Sequence, residues 1–184
     1  GGGEMGRSWY EDGRLEHKPH SFSDLVAAAD HLAASGVGDG ERIAIRGGSA
    51  GGLLVGAALN LAPTRFRAAV AEVPFVDALN TILDPDAPLT ATEWEEWGDP
   101  ITDPDAFALM RSYSPTENIG SGPYPAVLAT GGLNDPRVGV HEPAIWVQRL
   151  RERTETSTDR PVLLRVDLGA GHGGPSGRYD AWRR

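Results

Sequence analysis

The sequence contains no cysteine, and its basic residues are outnumbered by acidic ones. Without cysteine, neither disulfides nor thiolate metal ligands contribute to the fold, and the redox compartment stays open. The 17 Lys and Arg residues against 26 Asp and Glu residues give a formal net charge of −9. Because no basic field is available to hold a polyphosphate backbone, we expect no nucleic-acid partner. An acidic surface suits solubility or a cationic substrate.

Long apolar runs are also missing. No run approaches the length that spans a bilayer, and the N-terminus lacks the charged-then-apolar order of a signal peptide. We therefore expect a soluble protein without a membrane partner, in the cytoplasm, with the periplasm as the alternative. The 184 residues fit one domain. The chain opens on three glycines without Met and stops at 181–184 as a helical pattern begins, which predicts a fragment cut at both ends.

Helical and strand patterns alternate along most of the chain. Apolar spacing predicts helices and strands in the order helix 21–34, strand 42–46, helix 53–61, strand 66–73, strand 126–130, helix 142–153 and strand 162–168, followed by a loop over 169–177. Between 76 and 122 the composition shifts to Asp, Pro, Thr, Glu and Trp, which predicts an irregular excursion with one short helix near 105–110. The alternation predicts an α/β protein with a mostly parallel sheet, helices on both faces, and ligands beyond the carboxyl ends of the strands.

The sequence Gly-Gly-Ser-Ala-Gly-Gly at 47–52 contains the pattern G-x-S-x-G. A predicted strand precedes this serine and a predicted helix follows it, as the nucleophile turn of an α/β-hydrolase requires. Only glycines fit around so tight a turn, which exposes the Ser49 hydroxyl at the helix N-terminus and directs the Ala50 N–H at an oxyanion. The alternative is an incidental serine in a glycine-rich turn.

An acid and a base follow the later strands in the order that the α/β-hydrolase fold requires. Asp135 comes directly after the third strand, and His172 lies between glycines after the fourth. We therefore expect Ser49 as nucleophile, Asp135 as orienting acid and His172 as base, on an α/β-hydrolase fold whose early strands are missing. The alternatives are a turn-forming aspartate before Pro136 and a loop histidine without a partner.

Other patterns that could bind a metal or cofactor are weak. His17 and His20 have i, i+3 spacing, but they lie in a polar loop without a third ligand, and H-E-x-x-H is absent. Residues 1–6 satisfy G-x-G-x-x-G, yet no strand precedes them and residues 7–12 are a poor helix opening. We expect neither a metal nor a cofactor.

Several stretches together resemble the prolyl oligopeptidase family of serine peptidases, most closely its oligopeptidase B members. The resemblance runs nearly end to end. It rests on GGGEMGRSWY at 1–10, GGSAGG at 47–52, VPFVD at 73–77, PLT at 88–90, EEWG at 95–98, NDPRV at 134–138 and GHGG at 171–174.

The resemblance implies an endopeptidase that cuts short peptides after Arg or Lys, with short basic peptides as partners and no cofactor. It implies that residues 1–184 are a fragment of the C-terminal catalytic domain. The family's β-propeller, the early strands, and a tyrosine that completes the oxyanion hole would lie outside this chain, and residues 179–184 would begin the closing helix.

The resemblance also implies a substrate pocket. Glu93 and Glu95 would meet the basic P1 side chain, since a carboxylate pair binds guanidinium through charge-assisted contacts. Arg137 would hydrogen-bond the substrate backbone. The alternatives are a solvated acidic face formed by Glu93, Glu95 and Glu96, and a surface ion pair of Arg137.

Three further functions stay open from the sequence. A carboxylesterase or an acylaminoacyl peptidase could use the same fold, and a catalytically inactive interaction domain could retain it. The oligomeric state also stays open.

Overall fold

Four parallel strands form the central sheet in a computed structural model, which describes residues 2–88 and 90–175. Neighbouring strands pair in the order β1-β2-β3-β4. Their register places Gly48 beside Glu72 and Glu72 beside Thr130, so the carboxyl ends of these strands lie along one edge. The four strands are β1 Ala44–Gly48, β2 Ala68–Glu72, β3 Ala126–Gly132 and β4 Val162–Asp167.

Seven α-helices accompany this sheet in the described part of the chain. They are α1 Arg7–Glu11, α2 Pro19–Ala34, α3 Ala50–Leu61, α4 Ala78–Ile82, α5 Thr90–Trp97, α6 Pro104–Tyr113 and α7 His141–Arg153. None of these helices combines the length and the hydrophobicity needed to cross a bilayer.

The main core lies between the sheet and the helices α2, α3 and α7. Alternate residues of the central strands, such as Ala71 and Ala129, are fully buried against Leu59 of α3 and Trp146 of α7. Small strand side chains let the apolar helix α3 approach the sheet closely, which places the N-terminus of α3 at the carboxyl end of β1. The predicted alternation of strands and helices is confirmed, with shifts of a few residues at most ends.

The prediction for 76–122 is wrong in part: the short helix expected near 105–110 is confirmed as α6, but the rest is not irregular throughout, because α4 and α5 also form there. Asp103 begins α6 by accepting the Asp105 N–H at 2.9 Å, and Pro104 occupies the first helical position. These helices have only 5 to 10 residues, so their apolar periodicity is too short to stand out in the sequence. They enclose a second core against α2 and α3.

Two smaller predictions also need correction. Residues 7–12 are a poor helix opening by sequence, yet α1 forms there, with Arg7 bonded to Glu11 one turn later. The predicted loop after β4 contains a short hairpin of β5 Ala170–Gly171 and β6 Gly174–Pro175. The end of that loop and the closing helix expected at 179–184 lie outside the described residues.

The tight packing at the start of α3 predicts unequal effects of two neighbouring glycine substitutions. A Cβ on Gly52 would lie 2.3 Å from the Pro74 Cβ, whereas a Cβ on Gly51 would meet nothing within 4 Å. Gly52→Ala should lower the free energy of unfolding by about 1–3 kcal/mol through overpacking. Gly51→Ala is the matched control, since alanine favours the helix over glycine by roughly 0.5–1 kcal/mol. Urea unfolding of the full-length protein measures both, and equal losses would contradict the packing.

Candidate active site

Ser49 lies in a strained turn between β1 and α3. Its φ of 54° is unusual for a residue with a side chain. The Ser49 N–H donates to the Glu72 carbonyl at 2.9 Å, and the Ser49 carbonyl accepts the N–H groups of Gly52 at 2.8 Å and Phe75 at 3.0 Å. These bonds over-determine the conformation, so the strain persists in the folded chain. The hydroxyl consequently lies beyond the carboxyl ends of the strands.

Ala50 is the first residue of α3, and its N–H therefore has no acceptor within the helix. The N-terminus of this 12-residue helix also carries the positive end of the helix dipole. An oxygen that becomes negative beside Ser49 would be stabilised by both features.

His172 lies in the turn between β5 and β6 and contacts two other residues of the predicted site. Its Nε2 is 3.1 Å from the Ser49 Oγ, and its Nδ1 is 2.8 Å from the Asp135 Oδ2. Because a carboxylate only accepts hydrogen bonds, Nδ1 is the donor to Asp135, and in the neutral imidazole this leaves Nε2 as an acceptor for the serine hydroxyl. The structure thus brings together three residues from three separate loops.

Asp135 both forms a turn before Pro136 and contacts His172. Its Oδ1 accepts the N–H groups of Arg137 at 2.8 Å and Val138 at 3.1 Å. Its Oδ2 is left for His172, and the carboxylate side chain has no solvent exposure. One side chain therefore shapes its own loop and orients the imidazole.

The loops that carry Asp135 and His172 are bonded to each other. The Asn134 N–H donates to the Ala170 carbonyl at 3.1 Å, and the Asn134 side-chain amide donates to the Leu168 carbonyl at 3.1 Å. A Cβ at Gly132 would lie 2.6 Å from the Ala170 oxygen, so only glycine allows this approach. This contact sets the separation between the acid and the base.

An acidic pocket of about 890 Å³ opens beside Ala50 at the N-terminus of α3. Four glutamates and one lysine contribute to its lining, namely Glu4, Glu93, Glu95, Glu96 and Lys18. The excess of carboxylates suits a cationic group.

Glu93 faces both this pocket and a smaller cavity of about 110 Å³, which Ser49 and Arg137 also line. The half-buried Glu93 accepts the Trp97 indole N–H through Oε2 at 2.6 Å. Glu95 is exposed and lines the larger pocket. Within the described part of the chain, the exposed Arg137 side chain forms no ion pair. Of the two predicted pocket carboxylates, Glu93 is the one that lines the same cavity as Ser49.

Glu142, in the first turn of α7, is a buried acid that the sequence analysis missed. Only 1% exposed, it accepts the Asp77 N–H at 2.9 Å and the Thr81 hydroxyl at 2.9 Å. Burial, with a smaller contribution from the Asp77 charge, raises the pKa of Glu142 from 4.5 to about 7, while its hydrogen bonds oppose the shift. Glu142 thus connects α7 to the segment that walls the smaller cavity. A glutamate in a first helical turn gives no sequence signal of this role.

The residues considered for metal binding make other contacts. The His17 and His20 rings stack with centroids 5.5 Å apart, and the His20 Nδ1 lies 2.9 Å from the Asp12 carbonyl. Among residues 2–88 and 90–175, no group of three or more His, Asp or Glu side chains could hold a metal ion.

The fold and the site together define an α/β-hydrolase. A serine stands in a strand–turn–helix, and the histidine and aspartate bonded to it come from loops after later parallel strands, in the chain order of that fold.

Comparison with known proteins narrows this class to a family. The profile of the prolyl oligopeptidase family matches residues 1–184. Protease 2 of Moraxella lacunata is 50% identical over 181 residues, which are 98% of this chain and 26% of that protein. The chain belongs to the prolyl oligopeptidase family.

Two solved structures agree with this assignment. Oligopeptidase B from Leishmania major superposes with a TM-score of 0.94 at 44% identity, over 100% of this chain and 25% of that one. Oligopeptidase B from Trypanosoma brucei with covalently bound antipain has a TM-score of 0.89 at 48% identity. This match covers 95% of this chain and 24% of that one. The chain therefore spans about a quarter of the length of these relatives.

The buried Glu142 predicts a pH-dependent stability. Its folded-state pKa of about 7 lies above its ordinary value of 4.5, so the folded protein binds a proton more tightly than the unfolded chain. This contribution to stability is present below pH 4.5 and is lost as the pH rises through 7. In Glu142→Gln, which cannot ionise, the free energy of unfolding should fall less over this interval than in the wild type. Denaturant unfolding at pH values from 4.5 to 8 tests this, and parallel pH profiles would contradict it.

Proposed function

We propose that residues 1–184 form part of the catalytic domain of a serine peptidase that hydrolyses short peptides after Arg or Lys. The observation that carries this proposal is the continuous hydrogen-bonded arrangement of Asp135, His172 and Ser49. It occurs in a chain that belongs to the prolyl oligopeptidase family of serine peptidases. No cofactor takes part in the proposed reaction.

In the first half of the reaction, His172 Nε2 takes the proton of the Ser49 hydroxyl as Oγ bonds to the scissile carbonyl carbon. Asp135 holds the imidazole with Nδ1 protonated and stabilises its positive charge. When the tetrahedral intermediate collapses, the carbon–nitrogen bond breaks and His172 gives its proton to the leaving amine. An acyl-enzyme on Ser49 and a free amine product result.

In the second half, His172 removes a proton from water, and the resulting oxygen attacks the ester carbonyl. Collapse of the second intermediate returns the proton to Ser49 Oγ and releases the new carboxylate. The Ala50 N–H serves as an oxyanion donor in both halves. A donor of this kind is worth roughly 2.7–4 kcal/mol of transition-state stabilisation.

The acidic pocket supports the proposed preference for a basic P1 residue. Glu93 is half-buried beside the cavity that contains Ser49, which fits a carboxylate that receives the side chain next to the scissile bond. Glu95 would add a second, more solvated charge. Arg137, at the same cavity, would donate to a substrate carbonyl. Short basic peptides are the proposed partners.

Covalent chemistry in a relative supports the nucleophilic mechanism. The oligopeptidase B structure from Trypanosoma brucei contains covalently bound antipain, and that protein is 48% identical to this chain.

A cytoplasmic location stays a prediction from the sequence.

Substitution of the proposed nucleophile is the first test. Ser49→Ala in the full-length protein should lower kcat/KM for an Arg-amide substrate by about 10⁴-fold or more, because no acyl-enzyme can form. It should also abolish labelling by a fluorophosphonate probe, with the labelled residue mapped by mass spectrometry. Ser35→Ala, at an exposed serine after α2, is the control and should leave both unchanged. Wild-type turnover in Ser49→Ala would rule out the mechanism.

The same experiment separates the alternatives. Labelling at Ser49 with turnover of neutral esters or acylated amino-acid amides, and none after Arg or Lys, would indicate a carboxylesterase or an acylaminoacyl peptidase. Absence of labelling in the folded wild-type protein would indicate an inactive interaction domain.

Charge reversal in the pocket tests the proposed substrate class. Glu93→Lys should lower kcat/KM for an Arg-amide roughly 10- to 100-fold, the value of a charge-assisted hydrogen bond, and should leave a Leu-amide nearly unaffected. Glu155→Lys makes the same charge change at an exposed position after α7 and controls for the overall field. Equal losses with the Arg- and Leu-amides would argue against recognition of a basic side chain by Glu93.

A further inference from the structure

Lys18 is the only lysine of the chain, although the sequence contains 17 basic residues in all. It lies just before α2 and is only 9% exposed. A buried ammonium group is costly unless it is paired, so its partners have to compensate the lost hydration. Those partners lie on the helix that carries the acidic pocket.

The Lys18 ammonium makes two contacts at the end of α5. It forms an ion pair with Glu96, and it lies 4.3 Å from the centroid of the Trp97 ring. A cation over an indole face is attracted by the ring quadrupole, and the attraction grows when both groups are withdrawn from water. Trp97 is 5% exposed, so this contact is shielded. Lys18 therefore attaches α5 to the start of α2.

The Trp97 indole that contacts Lys18 also hydrogen-bonds to Glu93. The Trp97 Nε1–H donates to the Glu93 Oε2 at 2.6 Å, while the cation of Lys18 lies over the ring. Phe75 packs against Trp97 with ring centroids 5.9 Å apart, which restricts rotation of the indole. An indole held in this way offers its N–H in one direction. The direction of that bond orients the Glu93 carboxylate between the two cavities.

Lys18 also alters the charge of the pocket selectively. Glu93, Glu95 and Glu96 occupy three of four successive positions on α5, where like charges repel one another. Lys18 compensates Glu96, and in the described part of the chain neither Glu93 nor Glu95 forms an ion pair, Glu95 being attracted only at longer range by the Arg14 guanidinium. The pocket thus retains two carboxylates without a third competing for the same group.

We propose that Lys18 is a positioning residue for substrate specificity: through Trp97 it orients Glu93, and by pairing with Glu96 it confines recognition of a basic side chain to Glu93 and Glu95. This inference rests on the proposed function, because it assumes that the acidic pocket receives Arg or Lys. Lys18 lines the acidic pocket but not the smaller cavity that contains Ser49.

The test compares Lys18→Met with the wild type in the full-length protein, using an Arg-amide and a Leu-amide of otherwise identical sequence. Methionine retains the length and apolar character of the side chain without its charge. KM for the Arg-amide should rise roughly tenfold, the value of a charge-assisted hydrogen bond from the substrate that a misoriented Glu93 would no longer accept. The kcat values and the KM for the Leu-amide should stay within about twofold. Arg65→Met, which removes a cation paired with Asp30 away from both cavities, is the matched control and should change nothing.

A double variant links the effect to Glu93. If Lys18 acts by orienting that carboxylate, Lys18→Met should cause no further loss of the Arg/Leu preference in a Glu93→Gln background. Trp97→Phe, which retains a ring but removes the N–H donor, should reduce the preference while Lys18 is still present. This second variant decides the question if Lys18→Met does not fold.

The outcomes separate this inference from the proposed function. If Glu93→Gln lowers the Arg preference but Lys18→Met and Trp97→Phe do not, the positioning role is wrong and the pocket assignment stands. If Lys18→Met impairs both substrates equally, Lys18 is structural only. If Glu93→Gln leaves the Arg preference intact, the pocket assignment and the role of Lys18 both fail, whereas peptidase activity is judged by Ser49→Ala alone.

Discussion

The peptide unit of Ser49 connects the sheet to the chemistry. Its N–H bonds to β2, and its carbonyl accepts from α3 and from Phe75 beyond β2, so a strand, a helix and the segment after the strand constrain one residue at φ 54°. Relaxing that angle would break these bonds together. The strained turn therefore remains in place, and the hydroxyl meets the His172 Nε2 without a further loop rearrangement. The loops that carry Asp135 and His172 must therefore be positioned relative to the Ser49 hydroxyl.

The charged groups that shape the site are buried or shielded from solvent, and they act through specific contacts rather than through the net acidic charge of the surface. Asp135 divides its two oxygens between its own loop and His172. Glu142 joins α7 to the segment after β2 through two hydrogen bonds, and its burial raises its pKa. Lys18 fastens α5 to α2 through an ion pair and an aromatic face. Each of these groups joins two parts of the chain, at least one of which lines a cavity at the site.

The local sequence predicted a helix or strand correctly wherever the pattern lay within that one element. The α3 helix and the strands β1 to β4 were predictable because their apolar spacing is regular and turn residues mark their ends. The segment from 76 to 122 was not, since its helices have few turns and are stabilised by contacts with α2 and α3 rather than by their own periodicity. The roles of Lys18 and Glu142 were missed for a related reason, because a polar side chain's importance depends on partners distant in the chain.

The order of the reactive residues can be read from the chain: a serine in a glycine turn, then an aspartate, then a histidine, each at the end of a strand. Those features are local, since turn sterics and strand periodicity act over a few residues. Which groups meet depends on the folded arrangement. Ser49 and His172 are 123 residues apart, and Glu96 and Lys18 are 78 apart. Distances across such separations follow from sheet register and helix packing, which the fold as a whole establishes.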